Sequence, residues 1–354
     1  MRQFVFVNLV LSLFILNQSS CSFDNGNKIG VTGEVGQILV VSDTELWEGA
    51  FKECLDSNLT QWIMPYLPDV ATFELIHKTR AHFSKGVKRY RNILFIDLDP
   101  EFKGAKGTIV QRKDVWARGQ LVVEITAKDQ EMLVQTCSEG LDEVHDAFDK
   151  KSWQRIVKNF RGIKNKNLRS EVTKTFGIDL ALPSNAKIVT RRKNFYRLEF
   201  PPASRPIEFA GTGTQDVGSV FSGLMIYQYD FIDSTQLEHH RLLRARDTML
   251  KYNVPHEIDG LYMGTQYTKV VYPEGNIIGN ESGTINGYEM RGMFKFTGIN
   301  RMSTGGAFWA FHFVHPTTKK IVCLSGYVDA PATTSWTHPL REIQAILRSV
   351  ELKK

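Results

Sequence analysis

The first half of the chain combines short apolar runs with one long stretch of helical periodicity. Runs of four to seven apolar residues between polar or glycine-rich segments predict strands. The strands predicted in this half are 37–42, 73–77, 92–98, 107–112 and 120–126. From Leu133 to Phe160 the apolar residues recur every three or four positions, which predicts a helix capped by Asp129. Residues 37–162 are therefore predicted to form helices packed on a mixed sheet.

The second half, residues 163–354, has more strands and shorter helices. Helices are predicted at 167–176, at 235–252 and from Pro339 onward. The predicted strands are 178–182, 195–200, 224–230, 260–272, 288–297, 307–314 and 321–328. The first two of these are expected to pair, and the last two form a hairpin that is apolar on both faces. Such strands lie inside a sheet covered by helices, so a second α/β sandwich is predicted.

Between these elements, Pro201 to Gly223 is rich in Pro, Gly, Ser and Thr. That composition predicts a long loop, of the kind that often carries a binding site.

The amino-terminal segment has the layout of a secretory signal. Arg2 precedes an apolar run from Phe4 to Leu16, and small polar residues close it before Cys21. As a helix this run reaches about 20 Å, whereas the hydrocarbon core is roughly 30 Å thick. Residues 1–20 are therefore predicted to be a cleaved signal peptide and not a permanent membrane span.

The end of this segment, Ser19-Ser20-Cys21, resembles the lipobox of bacterial lipoproteins, with Gln18 where that family usually has leucine. The resemblance implies that Cys21 is the mature amino terminus and carries acyl chains. Residues 22–33 are polar and contain glycine, so residues 21–36 are predicted to hold a flexible spacer off the membrane. Two or more chains hold a protein stably on a bilayer. The expected location is the bacterial cell envelope, lipid-anchored and facing the periplasm or the surface. Ordinary secretion, with Cys21 removed or free, is the alternative.

Charge is unevenly distributed along the chain. Removal of residues 1–20, which include Arg2, lowers the formal net charge from +6 to +5. A charge this small does not indicate a nucleic-acid partner. Residues 150–169 hold eight basic side chains and no acidic one. They are Lys150, Lys151, Arg155, Lys158, Arg161, Lys164, Lys166 and Arg169. This run fits a surface that docks on anionic lipid headgroups or lipopolysaccharide phosphates, but a solvated helix face followed by a connector is the favoured interpretation.

No motif for a cofactor or a metal is intact. Asp216 stands where a dinucleotide-binding loop starting at Gly211 needs its third glycine. Gly260 stands where a zinc-protease motif starting at His256 needs its second histidine. No cofactor and no metal site are therefore predicted.

Three further groups contain residue types that bind metals or act in catalysis. Asp97, Asp99 and Glu101 alternate like the start of a calcium loop, but the turn glycine and the closing glutamate are missing, so they are predicted to be solvated acids. Four histidines are predicted to pack in the core or lie at the surface: His239, His240, His312 and His315. The cysteines beyond the anchor, at 54, 137 and 323, are predicted to be core residues.

Several short strings, in this order, resemble a family of uncharacterised Bacteroidetes lipoproteins, the domain of unknown function 4837 family. The strings are Arg91-Asn92-Ile93-Leu94, Trp116-Ala117 with Gln120, Arg246-Asp247, Tyr262-Met263, Glu289 with Arg291-Gly292, and Gly305-Gly306. The resemblance implies the envelope address and the two-unit architecture, and it implies no activity. The carboxy-terminal unit is also loosely similar to the PsbP type of α/β sandwich.

Two functions from different classes follow from these observations. The favoured one is a non-catalytic binding or assembly module on the envelope membrane, whose partner is a protein, a lipid or a glycan. The alternative is an envelope hydrolase whose site is assembled from distant residues. For that alternative, the candidates are the acids Asp97, Asp99 and Glu101 and the predicted loop at 201–223.

Overall fold

The structure of the chain is a computed structural model that describes residues 28–64, 66, 70–163, 165–208, 215–273, 277–280, 283–298, 305–330 and 335–353. Within these residues the helices are Gly49–Leu59 (α1), Gln130–Gly162 (α2), Lys166–Phe176 (α3), His239–Asn253 (α4) and Thr337–Arg348 (α5). No helix in this part of the chain is both long enough and apolar enough to cross a bilayer.

The strands fall into two groups along the chain. Those of the first half are Gln37–Val41 (β1), Glu74–Lys78 (β2), Asn92–Leu98 (β3), Thr108–Lys113 (β4) and Leu121–Ala127 (β5). Those of the second half are Ile178–Asp179 (β6), Lys187–Arg192 (β7), Phe195–Glu199 (β8), Ala203–Glu208 (β9), Gln215–Asp230 (β10), Leu261–Val271 (β11), Ile277–Asn280 (β12), Gly283–Asn286 (β13), Tyr288–Gly298 (β14), Gly305–Val314 (β15), Lys320–Asp329 (β16) and Glu351–Leu352 (β17).

The first sheet has the strand order β2-β1-β3-β5-β4, with β4 antiparallel to its neighbour and the other pairs parallel. Parallel strands need cover on both faces, which explains their continuous Ile, Leu and Val content. Helices α1 and α2 cover one face. Aromatic side chains from the segments that precede β3 and β5, including Phe83 and Trp116, cover the other. The predicted mixed sheet with packed helices is confirmed.

The second sheet is antiparallel, in the order β11-β14-β15-β16-β10-β8-β7, and β9 pairs with the far end of β10. The predicted hairpin is its centre, since β15 and β16 are buried along nearly their whole length. Helix α4 packs on one face, and α3 and α5 pack on the other. The mixed α/β fold class and the burial of this hairpin are therefore confirmed.

The predicted strand at 178–182 is wrong beyond its first two residues. Only Ile178 and Asp179 form a strand, and they pair with β17 near the end of the chain. Leu180 and Leu182 are buried against helices, so their apolar character reflects core packing and not strand pairing. The expected pairing of 195–200 with this segment is also wrong, because β8 lies between β7 and β10.

The long loop predicted at 201–223 is also incorrect for most of its length. Residues 203–208 and 215–220 pair as β9 and the start of β10, while 209–214 lie outside the described residues. Pro206 removes one N–H from β9, which an edge strand with a single partner tolerates. Composition alone therefore predicted a loop where strand pairing forms a ribbon.

The two halves are joined by charged contacts between α2 and α5. Arg341 of α5 forms an ion pair with Asp149 of α2, and its other terminal nitrogen donates to the backbone oxygen of Thr72. Gln344 donates to both carboxylate oxygens of Asp149, at 3.0 and 2.8 Å. These bonds fix the amino-terminal turn of α5 beside the first sheet.

Candidate functional site

A cleft of about 610 Å³ opens beside that amino-terminal turn, between the two halves of the chain. Pockets between units are common positions for ligands. One wall is α1, the floor is the start of β1 and β2, and the opposite wall is the start of α5. The lining residues are Glu34, Val35, Gly36, Gln37, Lys52, Asp56, Thr60, Ala71, Phe73, Glu74, Leu75, Ser335, Thr337 and His338.

A close backbone approach shapes the cleft at Gly36. This residue has a φ of +86°, a conformation that favours glycine. A Cβ atom at position 36 would lie 2.7 Å from the Cγ2 atom of Thr337. Glycine therefore lets the turn before β1 pass directly under the first residue of α5.

The cleft has more negative than positive groups. Glu34, Asp56 and Glu74 contribute carboxylates, whereas Lys52 contributes the one ammonium among the lining residues. That ammonium already pairs with Asp56 and lies 4.9 Å from the centre of the Trp47 ring. The lining residues therefore carry a net negative formal charge, which favours hydrogen-bond donors and cations as ligands.

The Gln37 side chain links the two acidic residues of the cleft floor, Glu34 and Glu74, by hydrogen bonds. The Gln37 side-chain amide donates to Glu74 Oε2 at 2.7 Å, and its carbonyl oxygen accepts from Tyr90 Oη at 2.8 Å. The backbone N–H of Glu34 donates to the same oxygen at 3.0 Å. Gln37 thus orients the floor of the cleft. The residues of this cleft are scattered from 34 to 338, so no local sequence pattern marks them as a site.

The basic run of residues 150–169 does not form one continuous surface. Three of its arginines bond within the protein: Arg155 donates to the backbone oxygens of Gly119 and Arg91, Arg161 pairs with Glu351, and Arg169 pairs with Asp179. Lys150, Lys158 and Lys166 are exposed, and Lys151 is half-buried. Lys164 and the predicted lipidation site Cys21 lie outside the described residues.

Among the described residues, Arg155 has no carboxylate partner for its charge. Burial, followed by the nearby charge of Arg91, lowers its pKa to about 9, and Asp114 opposes this shift. The side-chain oxygen of Asn92 accepts from it at 3.0 Å. None of its hydrogen-bond acceptors carries a formal charge, so a positive potential remains at this place.

The three acids at the carboxyl end of β3 do not gather into a site. Asp97 pairs with Arg80 at 2.7 Å, and Asp99 Oδ1 accepts from the backbone N–H of Glu101 at 3.0 Å. No group of three or more metal-binding side chains occurs anywhere in the described ranges.

A serine and a histidine meet at the carboxyl ends of β1 and β2. Ser42 Oγ lies 3.1 Å from His77 Nε2, and the Trp47 ring stacks on the imidazole with centroids 4.5 Å apart. Such a contact is the first requirement for an activated nucleophile. However, Ser42 is 0% exposed. The hydroxyl is therefore closed to a substrate in this conformation.

The four histidines predicted to pack in the core or lie at the surface do so. His239 stacks on Tyr272, with ring centroids 4.0 Å apart, and His240 is exposed. His315 accepts from the backbone N–H groups of the turn that follows β15. His312 is fully buried beside the Tyr227 hydroxyl, at 3.2 Å. Burial, with a smaller contribution from the charge of Arg246, lowers the pKa of His312 to about 3.

A buried cation that the sequence did not reveal lies under α4. Arg246 is 0% exposed and donates to Thr265 Oγ1 at 2.6 Å and to Ser325 Oγ at 3.2 Å. Its guanidinium lies 3.8 Å from the centre of the Phe308 ring. Asp247 accepts from the Thr265 hydroxyl at 2.6 Å, which ties α4 to β11. In the sequence, these two residues stand out only as the Arg246-Asp247 string of the family resemblance, which implies no role for the arginine.

The cysteines are consistent with their predicted place in the core. Cys137 and Cys323 are buried, Cys54 is partly buried, and all three are free thiols. Burial raises the pKa of the Cys137 and Cys323 thiols to about 12, so neither is a reactive thiolate at neutral pH.

Comparison with solved structures gives only distant likenesses. The chain is similar to the Ran-binding protein Mog1p of Saccharomyces cerevisiae, at 9% identity and a TM-score of 0.24, over 48% of this chain and 95% of that one. It is also similar to the cyanobacterial PsbP of Synechocystis sp. PCC 6803, at 8% identity and a TM-score of 0.22, over 47% and 92%. Scores this low carry no argument about function. No curated protein matches the chain.

Two family models match the sequence, one in each half. The domain of unknown function DUF8532 matches residues 31–161. The domain of unknown function DUF4837 matches residues 165–349, just over half of the 354 residues. This second match confirms the family that the short strings indicated, although the strings at 91–94 and 116–120 lie in the part of the chain that DUF8532 matches. The chain therefore belongs to the DUF4837 family.

Proposed function

We propose that this protein is a lipid-anchored cell-envelope protein that acts as a non-catalytic binding or assembly module. The anchor rests on residues 1–21, where a signal-like run ends in Ser19, Ser20 and Cys21. The observation that supports binding is the cleft between α1, the first sheet and α5. Both halves of the chain contribute to it, so a ligand there would contact both units at once.

The chemistry of the cleft favours a basic segment of another envelope protein as the ligand. Glu34 and Glu74 carry negative charge that Lys52 does not offset, because Lys52 pairs with Asp56. Lysine or arginine side chains would make charge-assisted hydrogen bonds to these carboxylates. A glycan fits less well, since the single phenyl ring lining the cleft, Phe73, is 0% exposed and offers no face for a sugar to stack on.

The hydrolase alternative has weaker support. Its one specific observation is the contact between Ser42 and His77, and the serine is fully buried. The candidate acids Asp97 and Asp99 are engaged by Arg80 and by the backbone of Glu101. We therefore favour binding over catalysis.

The anchor is tested by intact-mass analysis of the protein purified from envelope membranes. The wild type should carry an acyl mass on the fragment that begins at Cys21, and the Cys21→Ala variant should lack it and leave the membrane fraction. An identical acyl mass on both proteins would contradict lipidation at this residue.

The binding role is tested by site-specific photo-crosslinking in intact cells. A photoreactive residue at Ser335, which lines the cleft, should crosslink to one protein, and the same residue at Lys193, far along the β7–β8 hairpin, should not. The double change Glu34→Gln and Glu74→Gln should abolish the Ser335 crosslink. The matched control is Asp142→Asn with Glu143→Gln, two exposed acids of α2.

Three results would count against this function. Equal crosslinking from Ser335 and Lys193 would indicate non-specific contact. A crosslink that survives the loss of both cleft carboxylates would exclude the proposed charge pairing. A glycan recovered at Ser335 in place of a protein would change the ligand class.

A further inference from the structure

The first described residues lie against the turn between β4 and β5. Lys28 donates its ammonium to the backbone oxygens of Asp114 and Val115, and the Arg118 N–H donates to the backbone oxygen of Ile29 at 3.0 Å. The next residues continue beside Tyr90, where Thr32 exchanges two backbone hydrogen bonds with Arg89 and Arg91. The chain therefore joins the fold at the 114–119 turn, and the flexible spacer predicted over residues 21–36 is wrong for the described residues 28–36.

The distance from this turn to the proposed anchor is short. Seven peptide steps separate Cys21 from Lys28. A chain of that length spans at most about 25 Å, whatever conformation it adopts. If Cys21 carries acyl chains, the 114–119 turn stays within that distance of the membrane.

Basic side chains from two separate parts of the sequence meet at this turn. Lys113, the last residue of β4, and Arg118 of the turn are both exposed. Lys151 and Lys158 of α2 lie seven residues apart, on the same face of the helix as Arg155. Arg155 brings this face to the turn by donating to the Gly119 oxygen at 2.6 Å. We call Lys113, Arg118, Lys151 and Lys158 the basic face.

The charges of the basic face act on one another. Burial lowers the pKa of Lys151, and the cations Arg155, Lys113 and Lys158 lower it further, while Asp114 opposes them. The Asp114 carboxylate accepts a hydrogen bond from the backbone N–H of Gly119. Mutual repulsion of this kind is relieved when anions approach. Beside these cations, Ile29 exposes 64% of its surface.

We propose that the basic face docks on the anionic lipid headgroups of the bilayer that holds the acyl chains of Cys21. This inference rests on the proposed lipid anchor. It differs from docking by the whole basic run of residues 150–169. Arg161 and Arg169 of that run are paired within the protein, whereas Lys113 and Arg118 of the basic face lie outside the run. The anchor holds the protein on the membrane, and the basic face sets its orientation.

Docking should protect the lysines of the basic face from chemical labelling. The lipidated protein is bound to vesicles of phosphatidylcholine alone, or of phosphatidylcholine with phosphatidylglycerol, so that the acyl chains retain it on both. Acetic anhydride, an uncharged reagent, then acetylates accessible lysines, and mass spectrometry measures the rate at each site. On anionic vesicles the rates at Lys113 and Lys158 should fall severalfold, because docking covers these ammonium groups and each basic residue at such a surface multiplies the docking equilibrium constant by roughly five.

Matched controls come from exposed lysines elsewhere. Lys103 is exposed and precedes the amino-terminal end of β4, whereas Lys113 lies at the carboxy-terminal end of the same strand. Lys187 lies in the second unit. Both should label equally on the two kinds of vesicle. Changing Lys113 and Lys158 to Gln should also remove the protection of Lys151, whereas changing Lys103 and Lys187 to Gln should leave it intact.

The outcomes separate the docking from the anchor. Equal labelling of Lys113 and Lys158 on both vesicles, with the protein still bound, would overturn the docking and leave the anchor standing. Protection of Lys103 or Lys187 instead would mean that a different face meets the membrane. A protein that has no acyl mass and does not sediment with vesicles would overturn the anchor, and the proposed orientation with it.

Discussion

Arg341 of α5 and Asp149 of α2 form a largely buried ion pair across 192 residues of sequence. The arginine side chain is 0% exposed, and it also donates to the backbone oxygen of Thr72, two residues before β2. Phe73 lies under its guanidinium, 4.9 Å away. This pair joins the two halves beside the cleft, and the geometry of the cleft depends on it.

The first prediction concerns the loss of this pair. Arg341→Met should lower the free energy of unfolding by about 3–5 kcal/mol, because it leaves the Asp149 carboxylate buried without its cation. Urea denaturation of the purified protein measures the change. The control is Arg112→Met, which breaks an exposed pair with Glu124 and should cost about 1 kcal/mol or less. If the double variant Arg341→Met with Asp149→Leu is no more stable than Arg341→Met alone, the ion pair is not the cause.

The second prediction concerns acid stability. Burial alone would raise the pKa of Asp149, but the charge of Arg341 and hydrogen bonds from Gln344 and Arg341 outweigh it and leave the pKa below its usual value. The unfolded chain therefore binds a proton near pH 3.9, before the folded one does. The stabilisation from ionised Asp149 is complete above about pH 3.9 and is lost as the pH falls through the pKa that Asp149 has in the folded protein. Asp149→Asn should flatten the stability curve below about pH 4. A curve parallel to that of the wild type would contradict this.

The third prediction concerns His312. Its pKa is about 3 in the folded protein, whereas an unfolded histidine titrates near 6.5. The unfolded state alone takes up the proton between these values, so stability falls as the pH is lowered from about 6.5 toward 3. The contribution of this group to the slope is about 1.4 kcal/mol per pH unit.

His312→Leu should remove that slope in chemical denaturation measured between pH 6 and pH 4. The exposed His240 provides the control, since its side chain is 62% exposed and His240→Leu should leave the slope unchanged. Equal slopes in the wild type and His312→Leu would show that His312 is protonated in the fold.

The fourth prediction concerns a close approach of two strands at Gly306. A Cβ atom there would lie 2.0 Å from the backbone oxygen of Val328. Gly306→Ala should therefore destabilise the protein by about 1–3 kcal/mol through overpacking, as thermal and urea unfolding would show. Gly30→Ala is the control, because nothing lies within 4 Å of its Cβ position. Equal stability of the two variants would rule out the steric explanation.

The sequence predicted well those elements whose pattern is local. The helix that became α2 and the hairpin of β15 and β16 were predicted within about two residues of their observed bounds, because a period of 3.6 or an unbroken apolar run reports burial directly. It failed at 201–223, since Gly, Pro and Ser favour turns in isolation and the pairing of β9 with β10 overrides that preference.

The sequence by itself determined the fold class, most of the helices and strands, the central hairpin and the family. The tertiary structure alone decided which residues meet: Glu34 and Thr337 in the cleft, and Lys113 and Lys151 on the basic face. It also decided that Arg155 bonds inward. The physical reason is that periodicity fixes which face of an element is buried, whereas the partner on that face depends on how distant segments pack.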